Sequence, residues 1–449
     1  TRIVAPSDVA QSTRIVAPAI AQPARIVASS DVAQSTRIVA PPAAQPTRII
    51  AESTWTVASV CYNRWRRCES TLPVLREVRP TGMIPSLTIG IEEEYQIVQP
   101  ASRELRSYIQ RFLAHGQTVL RDQMHPEFLQ SQIELGTHIC RNIQDARREI
   151  VQMRRSIWEL AEAEGLWVAA AGTHPFSSWA RQEVSPFGRY PELARFLQDV
   201  GRRLLIFGMH VHIGIEDPEL LIDVMNQMRY FLPHLLSLST SSPFWHGRDT
   251  GLKSYRSVVF QSLPRTGIPP LFTSHADYRG YVDTLVATES IDEPTHIWWD
   301  ARPSEKFPTL EIRIPDMCTR VEETLCLAAL AQAIVAKLVQ LRRANQSWRI
   351  YLNRLIDENK WRAVRYGIDG KLIDFGKKQE VGFPALMEEL VAWVDDVVDE
   401  LGSRREVEYV ETILREGASA DRQLAVYRQT GRFEAVVDHV VAETQAGLA

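Results

Sequence analysis

The chain has 449 residues, 45% of them hydrophobic and 24% charged, with a formal net charge of −4. That length corresponds to roughly two or three domains, or one large domain with attachments, and it can bury a core without disulfide staples. The near-neutral balance argues against nucleic acid as a partner, and no run of about 18 or more apolar residues suggests a membrane-spanning helix. The five cysteines are Cys61, Cys68, Cys140, Cys318 and Cys326. None forms a C-x-x-C pair, and an odd count fits neither a disulfide framework nor a thiolate zinc site. The N-terminus lacks a signal-peptide pattern, so a reducing, cytoplasmic setting is expected.

In chain order, the first 53 residues are a tandem repeat. Arg-Ile-Val-Ala recurs at Arg2, Arg14, Arg25 and Arg37, with Arg-Ile-Ile-Ala at Arg48. The spacings of 12, 11, 12 and 11 make a 23-residue unit. Each unit offers only a short aliphatic pair among Pro, Ala, Ser and Gln, too little to stack as a solenoid. Residues 1–82 carry a net charge of +5 and residues 83–449 a net of −9. The expected division is therefore a low-complexity repeat and linker over 1–82, disordered or not native, and a catalytic domain over 83–449. Met83 stands just before the first well-patterned strand and is one expected natural start, with the repeat as translated upstream sequence; a real low-complexity arm with its own partner is the alternative.

Residues 86–98 alternate like a strand. Residues 141–164 place Ile143, Ile150, Met153, Ile157 and Leu160 at helical spacing. Residues 217–238 and 320–345 read as two more helices, the first with Asp217 as N-cap and Pro218 behind it. Residues 384–446 read as helical with breaks near Gly402, Gly417 and Gly431. Strands and helices mix without a regular βαβ rhythm, which predicts an α+β fold around an antiparallel sheet.

Four segments share one feature, polar residues two apart between apolar ones. A strand puts Glu92 and Glu94 on one face, and does the same for Gln132 with Glu134, His210 with His212, and Glu311 with Arg313. A sheet face carrying so many acids repels itself unless divalent cations neutralise it. Carboxylates with one imidazole suit Mg²⁺ or Mn²⁺ better than structural zinc. Arg313 beside them suits an anion such as a transferring phosphoryl group. Taken singly, each segment also reads as a solvated strand face. Glu93 breaks the apolar alternation, which a sheet edge or an arginine partner explains.

No P-loop, H-E-x-x-H, G-x-G-x-x-G or G-x-S-x-G motif is present. A bound nucleotide is therefore held through metal-bridged phosphates and arginines. Two loops rich in Ser, Thr, Gly and aromatics, at 172–177 and 241–251, followed by Ser254 and Arg256, are candidate substrate and phosphate contacts; ordinary turn chemistry is the alternative.

The motifs GIEEE (90–94), SQIELGTH (131–138), GTHPFSSW (172–179), FGMHVHIG (207–214), SPFWHGRDTG (242–251), LEIRIPD (310–316) and ADRQLAVYRQTG (420–431) occur in this order. Together they resemble the carboxylate–amine ligase family, also called type 2 glutamate–cysteine ligase, of the glutamine synthetase superfamily. The resemblance spans Ile84 to the C-terminus and excludes the repeat. It implies an antiparallel β-sheet cup with surrounding helices. It implies ATP-dependent joining of the γ-carboxylate of L-glutamate to the amine of L-cysteine through an acyl phosphate, a step of glutathione biosynthesis. By motif, Glu92, His210 and Glu311 would bind one Mg²⁺ near the ATP phosphates, and Glu94, Glu127 and Glu134 another nearer the glutamate. Glu127 rests only on its offset from Glu134. Arg313 and Glu311 would act in catalysis, and Arg256, Arg302 and His212 would contact nucleotide or carboxylate. The same chemistry on another amine or acid, and a non-catalytic nucleotide-binding homologue, are the alternatives. A homodimer is the default assembly. Glu311→Gln is expected to stop turnover with the melting temperature unchanged or raised, because a repelling charge is removed.

Overall fold

The structure is a computed structural model that describes residues 85–116 and 120–448. The chain divides into two units, Thr1–Arg76 and Glu77–Ala449, and the described residues belong to the second. The repeat and linker expected over 1–82, the start at Met83, and Cys61 and Cys68 all lie outside them.

The strands are β1 (Ile89–Val98), β2 (Met124–Pro126), β3 (Gln132–Gly136), β4 (Trp167–Ala169), β5 (Met209–Gly214), β6 (Thr266–Gly267), β7 (Trp298–Trp299), β8 (Ala301–Pro303), β9 (Thr309–Ile312), β10 (Lys371–Asp374) and β11 (Gln379–Gly382). Seven of them form one antiparallel sheet in the order β2-β3-β1-β5-β9-β8, with β4 pairing the far end of β1. β6 with β7, and β10 with β11, form two small separate pairs. This is the expected α+β architecture around an antiparallel sheet.

One face of the sheet is apolar. Ile91 and Tyr95 on β1, Ile133 on β3, Val211 on β5 and Ile312 on β9 are all buried. They meet two long helices, Ile143–Ala163 and Val321–Arg343. The first is started by Asn142, whose side chain accepts from the Asp145 N–H and supplies a partner that the helix itself cannot. It buries Ile143, Ile150, Met153 and Ile157, as its periodicity predicts. The second is long and apolar enough to cross a membrane by length and composition. However, 83% of its apolar window is buried inside the protein, where it is the central core helix.

The expected helix over 217–238 is two helices, Pro218–Met228 and Leu232–Ser239. Asp217 caps the first, accepting from the Glu219 and Leu220 N–H groups. Pro233 explains the break, because it has no N–H to bond the Arg229 carbonyl and its ring crowds that carbonyl, yet it is tolerated in the first turn of the second helix. The region 384–446 is four helices, Phe383–Leu401, Arg404–Glu416, Ser419–Thr430 and Phe433–Gln445. They part at the three expected glycines. Gly402 and Gly431 sit at φ +65°, where a side chain would be strained.

Candidate active site

The opposite face of the sheet floors a cavity of about 1480 Å³. Strand register decides what meets there. Glu92 stands across from His210 on β5 and Gly136 on β3, and Glu94 across from Glu134. His212 stands across from Glu311 on β9, and Glu311 in turn across from Arg302 on β8. Because side chains alternate along a strand, these opposed residues share one face. Glu127 arrives from the turn that follows β2.

Two ligand-like groups result. Glu92, His210 and Glu311 offer donor atoms all within 4.8 Å of one another, and so do Glu94, Glu127 and Glu134. His210 links them, with Nδ1 2.9 Å from Glu92 Oε2 and Nε2 3.9 Å from Glu94 Oε1. His212 Nε2 lies 3.4 Å from Glu92 Oε1, and its Nδ1 lies 3.0 Å from the Thr309 hydroxyl. Every candidate ligand named from the sequence is on this floor, Glu127 included.

The first group carries its own counter-charge. Arg302 holds Glu311 with two bonds, Nε to Oε2 at 2.7 Å and Nη2 to Oε1 at 3.1 Å. Arg313 donates to Glu311 as well. Burial works against ionising Glu311, but Arg313 and Arg302 overcome it and hold its carboxyl well below the usual range. Burial also opposes the charge on Glu92, and the hydrogen bond with His210 together with the nearby His212 imidazole outweighs it. Burial and then the nearby Arg313 push the His210 imidazole down to about 4, so it is neutral near pH 7 and keeps a lone pair for a cation.

The second group has no such help. Burial, then the charge of Glu127, push Glu94 up to about 8. Burial, then Glu92, Glu127 and Glu94, push Glu134 up, and burial raises Glu127 too. Among the described residues no cationic side chain forms an ion pair with Glu127 or Glu134. Backbone groups partner two of the three: Gly208 N–H donates to Glu94 at 2.5 Å, and Phe128 N–H to Glu127 at 2.5 Å. Partly buried carboxylates crowded without a paired counter-charge fit a hard divalent cation, and the all-oxygen set suits Mg²⁺ or Mn²⁺.

Several expectations change. Arg302 does contact a carboxylate, that of Glu311, and its Nη1 is pinned by the carbonyls of Thr295 (2.9 Å) and Ile297 (2.6 Å). It is a brace for Glu311. Arg256 donates to the Ile314 and Arg313 carbonyls at 3.2 Å each, so its guanidinium steadies the chain beyond β9 while lining the cavity. The loops 172–177 and 241–251 do not line the cavity. Thr173 and Ser241 bond instead to the carbonyls of Phe244 and Met317, and Ser242 and Ser254 bond to Asp316, which is buried. This is turn and bracing chemistry, satisfying polar groups that have lost water. Glu311→Gln is now expected to lower stability, because the buried Glu311 is the counter-ion of two partly buried arginines. Glu93 is not at an edge. It lies in the middle of the sheet and is paired with Arg154.

Sequence reading missed Gly208. Its N–H binds Glu94, and a side chain there would fall 2.2 Å from Arg256 Nη2. The glycine just before the His210–His212 pair was the available signal.

The fold and floor define an ATP-dependent carboxylate–amine ligase. A family model described as "Glutamate-cysteine ligase family 2 (GCS2)" matches residues 88–439. A Herpetosiphon aurantiacus protein named "Putative glutamate–cysteine ligase 2" is 55% identical over 361 residues, 80% of this chain and 94% of that protein. A protein of the same name from a Roseiflexus species is also 55% identical over 361 residues, 80% of this chain and 95% of that protein. Among solved structures, the glutamate–cysteine ligase of Francisella tularensis in complex with AMP superposes with a TM-score of 0.61 at 13% identity, covering 81% of this chain and 90% of that one. A bifunctional glutathione synthetase from Pasteurella multocida gives 0.58 at 14% identity, over 80% of this chain and 52% of that one. The chain belongs to glutamate–cysteine ligase family 2.

Proposed function

We propose that the protein joins the γ-carboxylate of L-glutamate to the amine of L-cysteine, with ATP converted to ADP and phosphate. The observation that carries the ligase chemistry is the pair of acidic groups on one β surface, with Arg313 lining the same cavity. Glutamate and cysteine follow from the family description and the names of the relatives. Nucleotide use is supported by the AMP found in the similar Francisella structure.

In this reading Glu92, His210 and Glu311 hold one Mg²⁺, and Glu94, Glu127 and Glu134 hold another. Such ions supply charge neutralisation where two anions, ATP and a carboxylate, must approach. Arg302 keeps Glu311 ionised and aimed, and Arg256 fixes the chain that carries Arg313. A γ-carboxylate oxygen of glutamate attacks the γ-phosphorus of ATP, the bond to the β–γ bridging oxygen breaks, and ADP leaves. The Arg313 guanidinium stabilises the phosphoryl group as it moves. The neutral amine then attacks the acyl carbon, the carbon–oxygen bond to phosphate breaks, and the amine proton is released.

The test is direct. Purified protein with Mg²⁺, ATP, glutamate and cysteine is expected to form γ-glutamylcysteine, seen by mass spectrometry, with one ADP per product. Product from another amine or acid, with none from cysteine, would keep the ligase and replace the substrate. Silence with every pair would leave a nucleotide-binding homologue.

A further inference from the structure

We propose, on the strength of the ligand roles assigned above, that the buried Glu93–Arg154 pair is a positioning element that fixes β1, which bears one or more residues of each cation group, against the chain that follows β9.

Glu93 sits between Glu92, of the first group, and Glu94, of the second, but points to the other face of β1. That face is otherwise apolar around it, with Ile89, Ile91 and Ile97 buried. Glu93 is fully buried, and Arg154 on the helix Ile143–Ala163 is 1% exposed. Arg154 Nε donates to Glu93 Oε2 at 3.0 Å and Nη2 to Oε1 at 2.5 Å. The Thr324 hydroxyl donates to Oε1 at 2.7 Å, and the Tyr95 hydroxyl donates to Oε2. The same guanidinium also reaches the Thr319 carbonyl at 2.7 Å and the Cys318 carbonyl at 3.0 Å.

One planar cation therefore ties β1 to the chain just beyond Arg313 and, through Thr324, to the core helix Val321–Arg343. That chain runs beside the start of β5, where Gly208 bridges Asp316 and Met317 N–H bonds the Phe207 carbonyl at 3.2 Å. The clamp thus holds β1, with Glu92 and Glu94, to the segment at Cys318 and Thr319 that follows Glu311 and Arg313 in the chain. Side chains alternate along a strand, so anchoring Glu93 behind the sheet fixes where its two neighbours point in front of it.

Stability alone does not account for the pair. A buried ion pair is often replaceable by apolar side chains of similar size without loss of stability. A forked, five-donor guanidinium differs from an apolar filler in being directional, and it accepts only one arrangement of its partners.

The experiment exploits that difference. Glu93→Leu, Tyr95→Phe and Arg154→Met in one chain replace the whole cluster with apolar groups. The readouts are thermal unfolding, Mn²⁺ affinity by calorimetry, and kcat and KM for ATP and glutamate. A cooperative transition near the wild-type temperature is expected, with Mn²⁺ affinity weakened by about tenfold to a hundredfold. kcat should fall by a larger factor than either KM rises. A folded variant with wild-type Mn²⁺ affinity and kcat overturns the proposal and leaves the pair a packing feature. Arg154→Lys decides the matter even where the triple variant does not fold. It keeps the charge beside Glu93, but a compact ammonium does not span the carboxylate and two carbonyls. Weakened Mn²⁺ binding in that variant supports the proposal, and wild-type binding overturns it. Wild-type protein that binds no Mn²⁺, or binds it equally well after Glu134→Gln, removes the ligand roles themselves, which is a separate failure.

Discussion

The two acidic groups on the cavity floor lie side by side and are built on opposite electrostatic terms. Glu92, His210 and Glu311 are partnered from within, since Arg302 and Arg313 sit on Glu311 and the two imidazoles lie against Glu92. Among the described residues Glu94, Glu127 and Glu134 form no ion pair with an arginine or lysine, Arg313 acts on them only from a distance, and burial raises all three. The first group is set by the protein alone. The second is left incomplete until a cation arrives. A single substitution therefore carries opposite signs in stability depending on which group it touches, although either should stop the chemistry.

Glu311→Gln gives the largest expected effect. It removes a proposed ligand and strips the counter-ion from two partly buried arginines. Turnover is expected to fall by at least about a thousandfold. Stability is expected to drop by about 3 kcal/mol, the cost of leaving buried charge uncompensated. A steady-state ADP assay and a thermal melt check both. An unchanged melting temperature would break the contrast between the groups.

Glu134→Gln is the matching variant in the second group. Turnover should again be lost, but the metal-free protein should melt higher, because a crowded buried carboxylate has been removed. Saturating Mg²⁺ should add less to its melting temperature than to the wild type's. In the wild type a ligand at a hundred times its Kd adds about 2.7 kcal/mol. Equal Mg²⁺ shifts in both proteins would count against Glu134 as a ligand.

This contrast marks what was legible in the sequence. Period-2 pairs named Glu92 with Glu94, His210 with His212, and Glu311 with Arg313, and strand geometry alone puts each pair on one face. The first β-strand, the helix at 143–163 and the three glycine breaks in the C-terminal region were equally plain, because each has a local cause. Charge compensation was not plain. Arg302 lies nine positions before Glu311 and meets it only through the pairing of β8 with β9, where β8 is three residues long and carries no pattern. The loops at 172–177 and 241–251 look like binding loops because Ser, Thr and Gly satisfy buried backbone as readily as they bind phosphate. Arg154 did carry a signal, since it lies four residues after Ile150 on the buried side of its helix.

Arg302→Lys sharpens the first half of the comparison at smaller scale. The charge stays, but the two-point hold on Glu311 and the bonds to Thr295 and Ile297 cannot be kept by one ammonium. A loss of about tenfold to a hundredfold in kcat/KM is expected, the range typical when a partner that aims a ligand is altered. Wild-type kinetics would show that Arg313 alone suffices to hold Glu311.

The smallest effect is in pH, and it isolates the second half. Glu94 moves from an ordinary 4.5 up to about 8, chiefly through burial and then the charge of Glu127, and Glu134 moves in the same direction. In metal-free protein the native state therefore keeps protons that the unfolded chain has released, so stability falls as pH rises from 4.5 toward 8. His212 adds to that slope above 6.5; burial opposes its charge, but the bond to Glu92 raises it, so its contribution is also lost with rising pH. His210, lowered to about 4, acts with the opposite sign but only below 6.5, where the unfolded imidazole takes up its proton. Glu311, held down by its arginines, contributes stability lost only at acid pH. Between pH 6.5 and 8 these terms leave one sign, and the melting temperature of chelator-treated protein is expected to fall. Saturating Mg²⁺ should flatten the slope, because a bound cation keeps the carboxylates ionised in the native state as they are in the unfolded one. Glu94→Gln should flatten part of it without metal. A metal-free melting temperature that stays level or climbs across this window would mean that the second group is not the uncompensated half of the floor.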